Sequence, residues 1–183
     1  AKAKLVTVQS LYLLQYPDEN IKRSLDKRIK KLVDIADKSF ENRTHKPLAV
    51  GAYAVLNGEL KKAQSRLLPL TDKPKFTGFF SNLLMAFSFR NKMREIKEQS
   101  EDIDKSKSEI EKQISRATAF FEAAIEKNIA SPSPYFQLGE IDKFLGKSMD
   151  NRLERYQSAL DQSEEHIRSR LRISNYMILQ GKF

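Results

Sequence analysis

The sequence predicts an all-α fold in which antiparallel helical hairpins form one domain, residues 1–183. Three observations predict it. Apolar residues recur every three or four positions along most of the chain, which is the periodicity of a helix packed on one side. No segment alternates apolar and polar residues as a half-buried strand does. The chain has only six Gly and six Pro residues, few for the many turns of an all-β protein.

The N-terminal part, residues 20–74, is predicted to form basic hairpins. Its clearest helix spans residues 20–40, where apolar residues form one stripe and basic residues lie opposite. The stripe consists of Ile21, Leu25, Ile29, Leu32, Val33, Ala36 and Phe40. Ahead of Pro17, a shorter apolar segment, residues 5–16, is also predicted to be helical.

The middle part, residues 76–128, is predicted to hold an apolar helix followed by a long helix. Large apolar residues crowd the segment from Phe76 to Phe89. The basic residues Arg90, Lys92, Arg94 and Lys97 follow it directly. We favour a core helix that its neighbours cover, and the alternative is an interfacial helix with its apolar face in lipid. Ser106 and Glu109 have the spacing of a capping box, which predicts that the long helix starts there and runs to residue 128.

Glycines separate the remaining helices, because Gly accepts the left-handed backbone that ends a helix without a steric penalty. One such glycine lies between the two helices of each predicted pair, and another follows the last predicted helix. These helices are 47–57 and 60–70 around Gly58, 134–145 and 149–163 around Gly146, and 165–180 before Gly181.

Small and aromatic residues recur in the hairpins with a characteristic spacing. The matching segments are Val50-Gly51-x-x-Ala54 before Gly58, Tyr135-x-x-Leu138-Gly139 before Gly146, Tyr156-x-x-Ala159, and Ile173-Ser174-x-x-Met177 before Gly181. This pattern resembles the tetratricopeptide repeat (TPR), whose 34-residue unit pairs two helices. Gly51 and Gly139 are 88 residues apart, which is not a multiple of 34. The resemblance therefore implies a short TPR-like α-solenoid with an irregular, enlarged middle hairpin, and TPR-like hairpins at residues 132–181.

The resemblance also implies a function, that of a protein–protein interaction scaffold or adaptor which holds a partner peptide or helix. In this family the first helices of the hairpins line a concave groove. Carried onto the matching helices, the groove residues are Leu48, Ala52, Val55, Phe136, Glu140 and Lys143. A lysine in such a groove suits a carboxylate on the partner.

The positive charge of the chain is concentrated in its first half. The formal net charge is +9, and residues 1–99 carry +10 while residues 100–183 carry −1. A basic patch on the 20–40 helix contains Lys27, Arg28, Lys30 and Lys31. The alternative function is therefore that of a basic protein associated with a membrane surface or with nucleic acid. Nucleic acid is the disfavoured partner, because no aromatic residue interleaves with the basic ones.

Catalytic and metal-binding patterns are missing from the sequence. There is no Cys, and the two His residues, His45 and His166, have no spaced partner that suggests a metal site or a catalytic triad. No phosphate-binding Gly loop or nucleophile elbow is present. We therefore expect neither an enzyme nor a cofactor. No apolar run is long enough for a transmembrane helix. The sequence favours a cytoplasmic location and leaves peripheral membrane association open.

Overall fold

A computed structural model describes residues 2–16, 18–38, 45–100, 103–127 and 130–181. These residues form nine α-helices and no strand, so the predicted all-α class is confirmed. The helices are α1 (Lys2–Gln15), α2 (Glu19–Lys38), α3 (His45–Leu56), α4 (Leu60–Leu67), α5 (Lys75–Gln99), α6 (Ile103–Lys127), α7 (Pro132–Phe144), α8 (Met149–Gln162) and α9 (Ile167–Leu179). A short 3₁₀ turn, Leu68–Leu70, follows α4.

Local chemistry fixes several helix ends close to their predicted positions. The Asp18 carboxylate accepts the backbone N–H groups of Asn20 and Ile21, which caps α2 at its start. Gly58 and Gly146 have φ angles of 73° and 68°, the left-handed conformation expected at these turns. The predicted helical positions Phe40 and Asn128 lie outside the described residues.

The capping-box prediction for α6 is wrong. The helix begins at Ile103, so Ser106 and Glu109 lie inside it and not at its start. The Ser106 hydroxyl instead lies 2.6 Å from the Ser100 hydroxyl, next to the end of α5. A contact between two helices therefore replaces the local cap, and the Glu109 carboxylate accepts a hydrogen bond from Gln113 one turn further on.

The helices pack against one another in chain order. Each helix contacts the next one, from α1 with α2 to α8 with α9, and α3 also contacts both α1 and α5. The most extensive of these pairings joins α5 and α6, which have 25 residues each and are the two longest of the described helices. The buried apolar side chains of the described residues form three clusters, a large one around α5 and two smaller ones.

Helix α5 forms the centre of the core. Every residue from 81 to 90 is buried, and Leu84 and Phe87 are fully so. Phe80 is partly buried and Phe76, one turn earlier, is 37% exposed. The Phe76–Phe89 segment is therefore a core helix, as the favoured interpretation predicts. Within the described part of the chain, no helix has the length and apolar character needed to cross a membrane.

Two helical glycines allow a close approach between the helices of a hairpin. A Cβ atom on Gly139 of α7 would lie 2.6 Å from Cε1 of Tyr156 on α8. A Cβ atom on Gly51 of α3 would lie 2.5 Å from Leu67 on α4. Both distances are far below van der Waals contact. The absence of a side chain at Gly139 therefore lets α7 pack directly on the Tyr156 ring of α8.

Candidate functional site

Most residues predicted to line a groove lie in the core of this structure. Leu48, Ala52, Val55 and Phe136 are at most 2% exposed. Leu48, Ala52 and Val55 pack in the large cluster around α5, and Phe136 packs against Tyr156 and Ala159. These four side chains are not presented to solvent. The other two predicted residues, Glu140 and Lys143, border an open cleft.

The basic patch on α2 is exposed as expected. Lys27, Arg28, Lys30 and Lys31 all face solvent. In the described part of the chain, no carboxylate forms an ion pair with any of these four side chains. They form a solvated helix face that offers no concavity to hold a ligand.

The cleft that Glu140 and Lys143 border lies between α5 and α7. Its cavity measures about 310 Å³. Helix α5 contributes four residues, which are spaced three, one and three positions apart and therefore lie on one face of the helix. Helix α7 contributes the opposite wall. The lining residues are Arg90, Met93, Arg94 and Lys97 from α5, and Glu140, Ile141, Lys143 and Phe144 from α7. Four of these eight side chains are cationic and one is a carboxylate.

Arg90 is the most unusual group in the cleft because it is a buried cation without a carboxylate partner. Its guanidinium donates to the side-chain carbonyl of Gln137 at 2.6 Å, to the Leu14 carbonyl at 3.3 Å and to Asn91 at 3.2 Å. The residue is 6% exposed, and its Nε has no hydrogen-bond partner among the described residues. A buried charge without a counterion destabilises the folded protein, and a bound anion would reduce this destabilisation.

The charge state of Arg90 follows from its surroundings. Burial, reinforced by the nearby charges of Arg94 and Arg168, lowers the pKa of Arg90 to about 9. The group therefore stays protonated at neutral pH. Its guanidinium also lies 4.5 Å from the centre of the Phe87 ring, which supports the cation from one side. The cleft thus presents a fixed positive charge at its floor.

The single carboxylate of the cleft, Glu140, is already neutralised within the protein. Arg172 of α9 binds it with two hydrogen bonds of 2.8 Å, and the Tyr156 hydroxyl donates a third at 2.8 Å. Burial alone would raise the pKa of Glu140, but the hydrogen bonds from Arg172 and Tyr156 outweigh it and lower the pKa. Glu140 is therefore ionised, and its two oxygens are already bound by Arg172 and Tyr156. Its charge favours the protonated form of Arg90 from a distance but forms no ion pair with that guanidinium in the described part of the chain.

The Glu140 network should make stability depend on acid pH. A carboxylate whose pKa is lower in the folded state contributes stability above its unfolded pKa of 4.5, and this contribution is lost as the pH falls through the folded pKa. Glu140→Gln should therefore destabilise the protein at pH 7 and approach the parent as the pH falls. Urea unfolding between pH 7 and pH 3 measures the difference. Glu122→Gln, on an exposed position of α6, should show a small difference throughout; an equally large one would contradict the assignment.

The remaining lining residues combine buried apolar side chains with exposed charges. Met93 and Ile141 are 3% exposed and form the apolar part of the floor, beside Arg90. The Lys97 ammonium lies 4.6 Å from the centre of the Phe144 ring, and Arg94 and Lys143 are exposed at the rim. Such a site can hold an anionic group at Arg90 and an apolar group beside it.

The C-terminal end of α1 provides backbone acceptors for two arginines, one of which lines the cleft. Arg90 of α5 and Arg168 of α9 donate to the last carbonyls of α1, those of Leu14 and Gln15, at 3.3 and 2.6 Å. These carbonyls have no partner within their own helix, and the negative end of the helix dipole favours cations there. The Gln15 side chain adds a 3.0 Å hydrogen bond to Ser133 at the start of α7. Contacts between residues far apart in sequence thus position Arg90.

The cleft lies apart from both histidines of the chain. Among the described residues, no three His, Asp or Glu side chains converge as metal ligands would. His166 hydrogen-bonds to Ser169, and burial together with the Arg168 charge lowers its pKa. His45 stacks on Phe76, and its pKa is also lowered, chiefly by burial.

The sequence signal for the cleft lies in the spacing of the basic residues after Phe89. Arg90, Arg94 and Lys97 stand four and three residues apart, which places them on one helix face, while Lys92 points elsewhere and pairs with Glu95. The burial of Arg90 has no such local signal, because Leu14 and Gln137 create it.

Comparison with known proteins assigns no family to the chain. No protein-family model matches it, and no curated protein or solved structure is significantly similar to it.

Proposed function

We propose that the protein is a TPR-like interaction module which holds an acidic segment of a partner protein in the cleft between α5 and α7. The observation that carries this proposal is Arg90, a buried cation with an unpartnered Nε at the floor of a cleft whose other free charges are positive. A carboxylate from a partner would supply the missing counterion and accept a charge-assisted hydrogen bond.

The packing of the helices supports a repeat architecture. Consecutive pairing from α1 to α9, with α1 on α3 and α3 on α5, resembles the contact pattern of stacked hairpins over the first five helices, whereas α5 and α7 are barely in contact and leave the cleft between them. In such an array α5 and α7 are the first helices of neighbouring hairpins, and their concave sides form the cleft. The apolar floor of Met93 and Ile141 then favours a partner with apolar residues next to its acidic ones.

The cleft favours a peptide over an extended polyanion. It is a short cleft in which buried apolar side chains lie beside the cations, whereas an extended polyanion needs a basic groove that follows its backbone. The α2 patch is the surface that a nucleic acid or an anionic membrane would use. These two surfaces lie on different helices, so mutagenesis separates them.

Charge reversal in the cleft should abolish binding of an acidic peptide. The probe is a fluorescent peptide of alternating Glu and Leu residues, compared with the same peptide carrying Gln in place of Glu. In the cleft variant, Arg94, Lys97 and Lys143 are each changed to Glu. These exposed side chains contribute binding energy and little stability, so fluorescence anisotropy should show affinity falling by about tenfold or more, while thermal melting stays close to that of the parent.

A matched variant carries the same charge change on α2, with Lys27, Arg28 and Lys30 each changed to Glu. It should bind the acidic peptide as the parent does. Equal loss in both variants, or no preference of the parent for the acidic peptide over the Gln peptide, would overturn the proposal. We expect no measurable binding of generic DNA or RNA at physiological salt; DNA binding that the α2 variant loses would favour the alternative function.

A further inference from the structure

The outer face of α9 is an apolar stripe that nothing in the described chain covers. Ile167, Leu171 and Ile178 are 70%, 57% and 56% exposed. Together with Ser174 they are spaced four, three and four residues apart, so they form one line along the helix. The opposite face of α9 packs on α8, where Ser169 is buried and Ile173 contacts the Phe136 cluster. Helix α9 therefore has two packing faces, of which one is open.

The two earlier hairpins indicate what such a face receives. Gly51 and Gly139 each stand seven residues before a left-handed turn glycine, and each is pressed by a side chain from the following antiparallel helix. Ser174 stands seven residues before Gly181, which is also left-handed, with a φ of 63°. Ser174 of α9 therefore corresponds in position to Gly51 of α3 and Gly139 of α7. At those two glycines, a large side chain of an antiparallel helix packs against the small residue.

The stripe is complementary to itself in an antiparallel arrangement. A two-fold axis between Leu171 and Ser174 places Leu171 opposite Ser174 of a second copy, so that a large side chain meets a small one. The same axis places Ile167 opposite Ile178 of the second copy. We propose that α9 pairs antiparallel with α9 of a second copy of this chain, which makes the protein a two-fold symmetric dimer. This inference is independent of the peptide-binding cleft.

The charges of α9 are compatible with this pairing. The helix carries three arginines, but Arg168 is bound to the Gln15 carbonyl and Arg172 to Glu140. The remaining one, Arg170, falls opposite Asn175 of the second copy, so no like charges meet. The helix is about 20 Å long, and a contact along it lies at the weak end of interface sizes, so the dimer is reversible.

Sedimentation equilibrium over a range of concentrations tests the dimer. The parent should show a monomer–dimer equilibrium, and Leu171→Glu should raise the dissociation constant by about tenfold or more, because it places a charge in the apolar contact. Thermal melting should stay near the parent value, since Leu171 is exposed in the monomer. Val8→Glu is the matched control, an apolar-to-acid change at a 52% exposed position of α1, and it should leave the dimer intact.

Cross-linking tests the register. The chain has no Cys, so single introduced cysteines are the only thiols. A mixture of Leu171→Cys and Ser174→Cys copies, treated with a short bismaleimide, should give more cross-linked product than Ile167→Cys mixed with Ser174→Cys. A parent that is monomeric at every concentration, a dimer that survives Leu171→Glu, or loss of the dimer in Val8→Glu alone would each overturn the proposal.

Discussion

Phe87→Ala should lower the free energy of unfolding by about 3–5 kcal/mol, the usual cost of removing a buried phenyl ring. The ring is fully buried at the centre of α5. It packs edge to face on Phe121 of α6, with ring centres 5.6 Å apart, and it supports the Arg90 guanidinium. Alanine loses these contacts and leaves a cavity between two long helices that cannot collapse without moving both. Urea denaturation at neutral pH measures the loss.

The matched control for this substitution is Phe76→Ala at the start of the same helix. Phe76 is 37% exposed, so we expect a cost below about 1 kcal/mol, as for most surface changes. Equal costs at the two positions would mean that α5 is not buried as described. A parent that binds anionic vesicles, together with a Phe87→Ala variant of unchanged stability, would favour the interfacial interpretation of the Phe76–Phe89 segment.

The helices and their order were predictable from the sequence because they depend on local patterns. The stripe on α2 and the crowded apolar residues of α5 are periodic over several turns, and the periodicity specifies both the helix and its buried face. Gly58 and Gly146 mark the turns because left-handed backbone favours glycine wherever it occurs. Tight packing at Gly139 was also predictable, since a small residue in an otherwise apolar helix indicates a close neighbour.

The candidate site was less predictable because it depends on contacts between distant residues. Arg90 looks like one of four surface cations after an apolar segment, and only the approach of Leu14 and Gln137, from 76 and 47 residues away, buries it. Four of the groove residues carried over from the TPR resemblance, Leu48 among them, are covered by α1 or α8 and their neighbours. The residue spacing that identifies the first helix of a TPR hairpin does not predict how deeply that helix is buried.

The predicted start of α6 was wrong because a contact with the end of α5 replaced a local motif. Ser106 has the correct partner spacing for a helix start, but Ser100 at the end of α5 is close enough to interact with its hydroxyl. Helix α6 therefore extends to Ile103. A capping motif contributes only about 1 kcal/mol, so packing between two long helices determines where α6 begins.

The contact between α7 and α8 should be sensitive to any side chain at Gly139, because the neighbouring group is rigid. The nearest atoms to a Cβ atom there are Cε1 and Cδ1 of Tyr156, at 2.6 and 2.9 Å. The Tyr156 ring is 2% exposed, and its hydroxyl is fixed by Glu140. At Gly51, by contrast, the nearest atoms belong to the flexible end of Leu67. Relief at Gly139 therefore requires α7 and α8 to move apart.

Gly139→Leu should accordingly cost about 1–3 kcal/mol through overpacking, although leucine favours helix over glycine by roughly 1 kcal/mol. Urea denaturation of four proteins tests the mechanism as a double-mutant cycle: the parent, Gly139→Leu, Tyr156→Ala, and the double variant. Because Tyr156→Ala removes the ring that the leucine meets, Gly139→Leu should cost less in that background or even stabilise the protein. The same cost in both backgrounds would show that the leucine does not act against Tyr156. A Gly139→Leu variant that unfolds with the parent's midpoint would show that α7 and α8 are not tightly packed at this position.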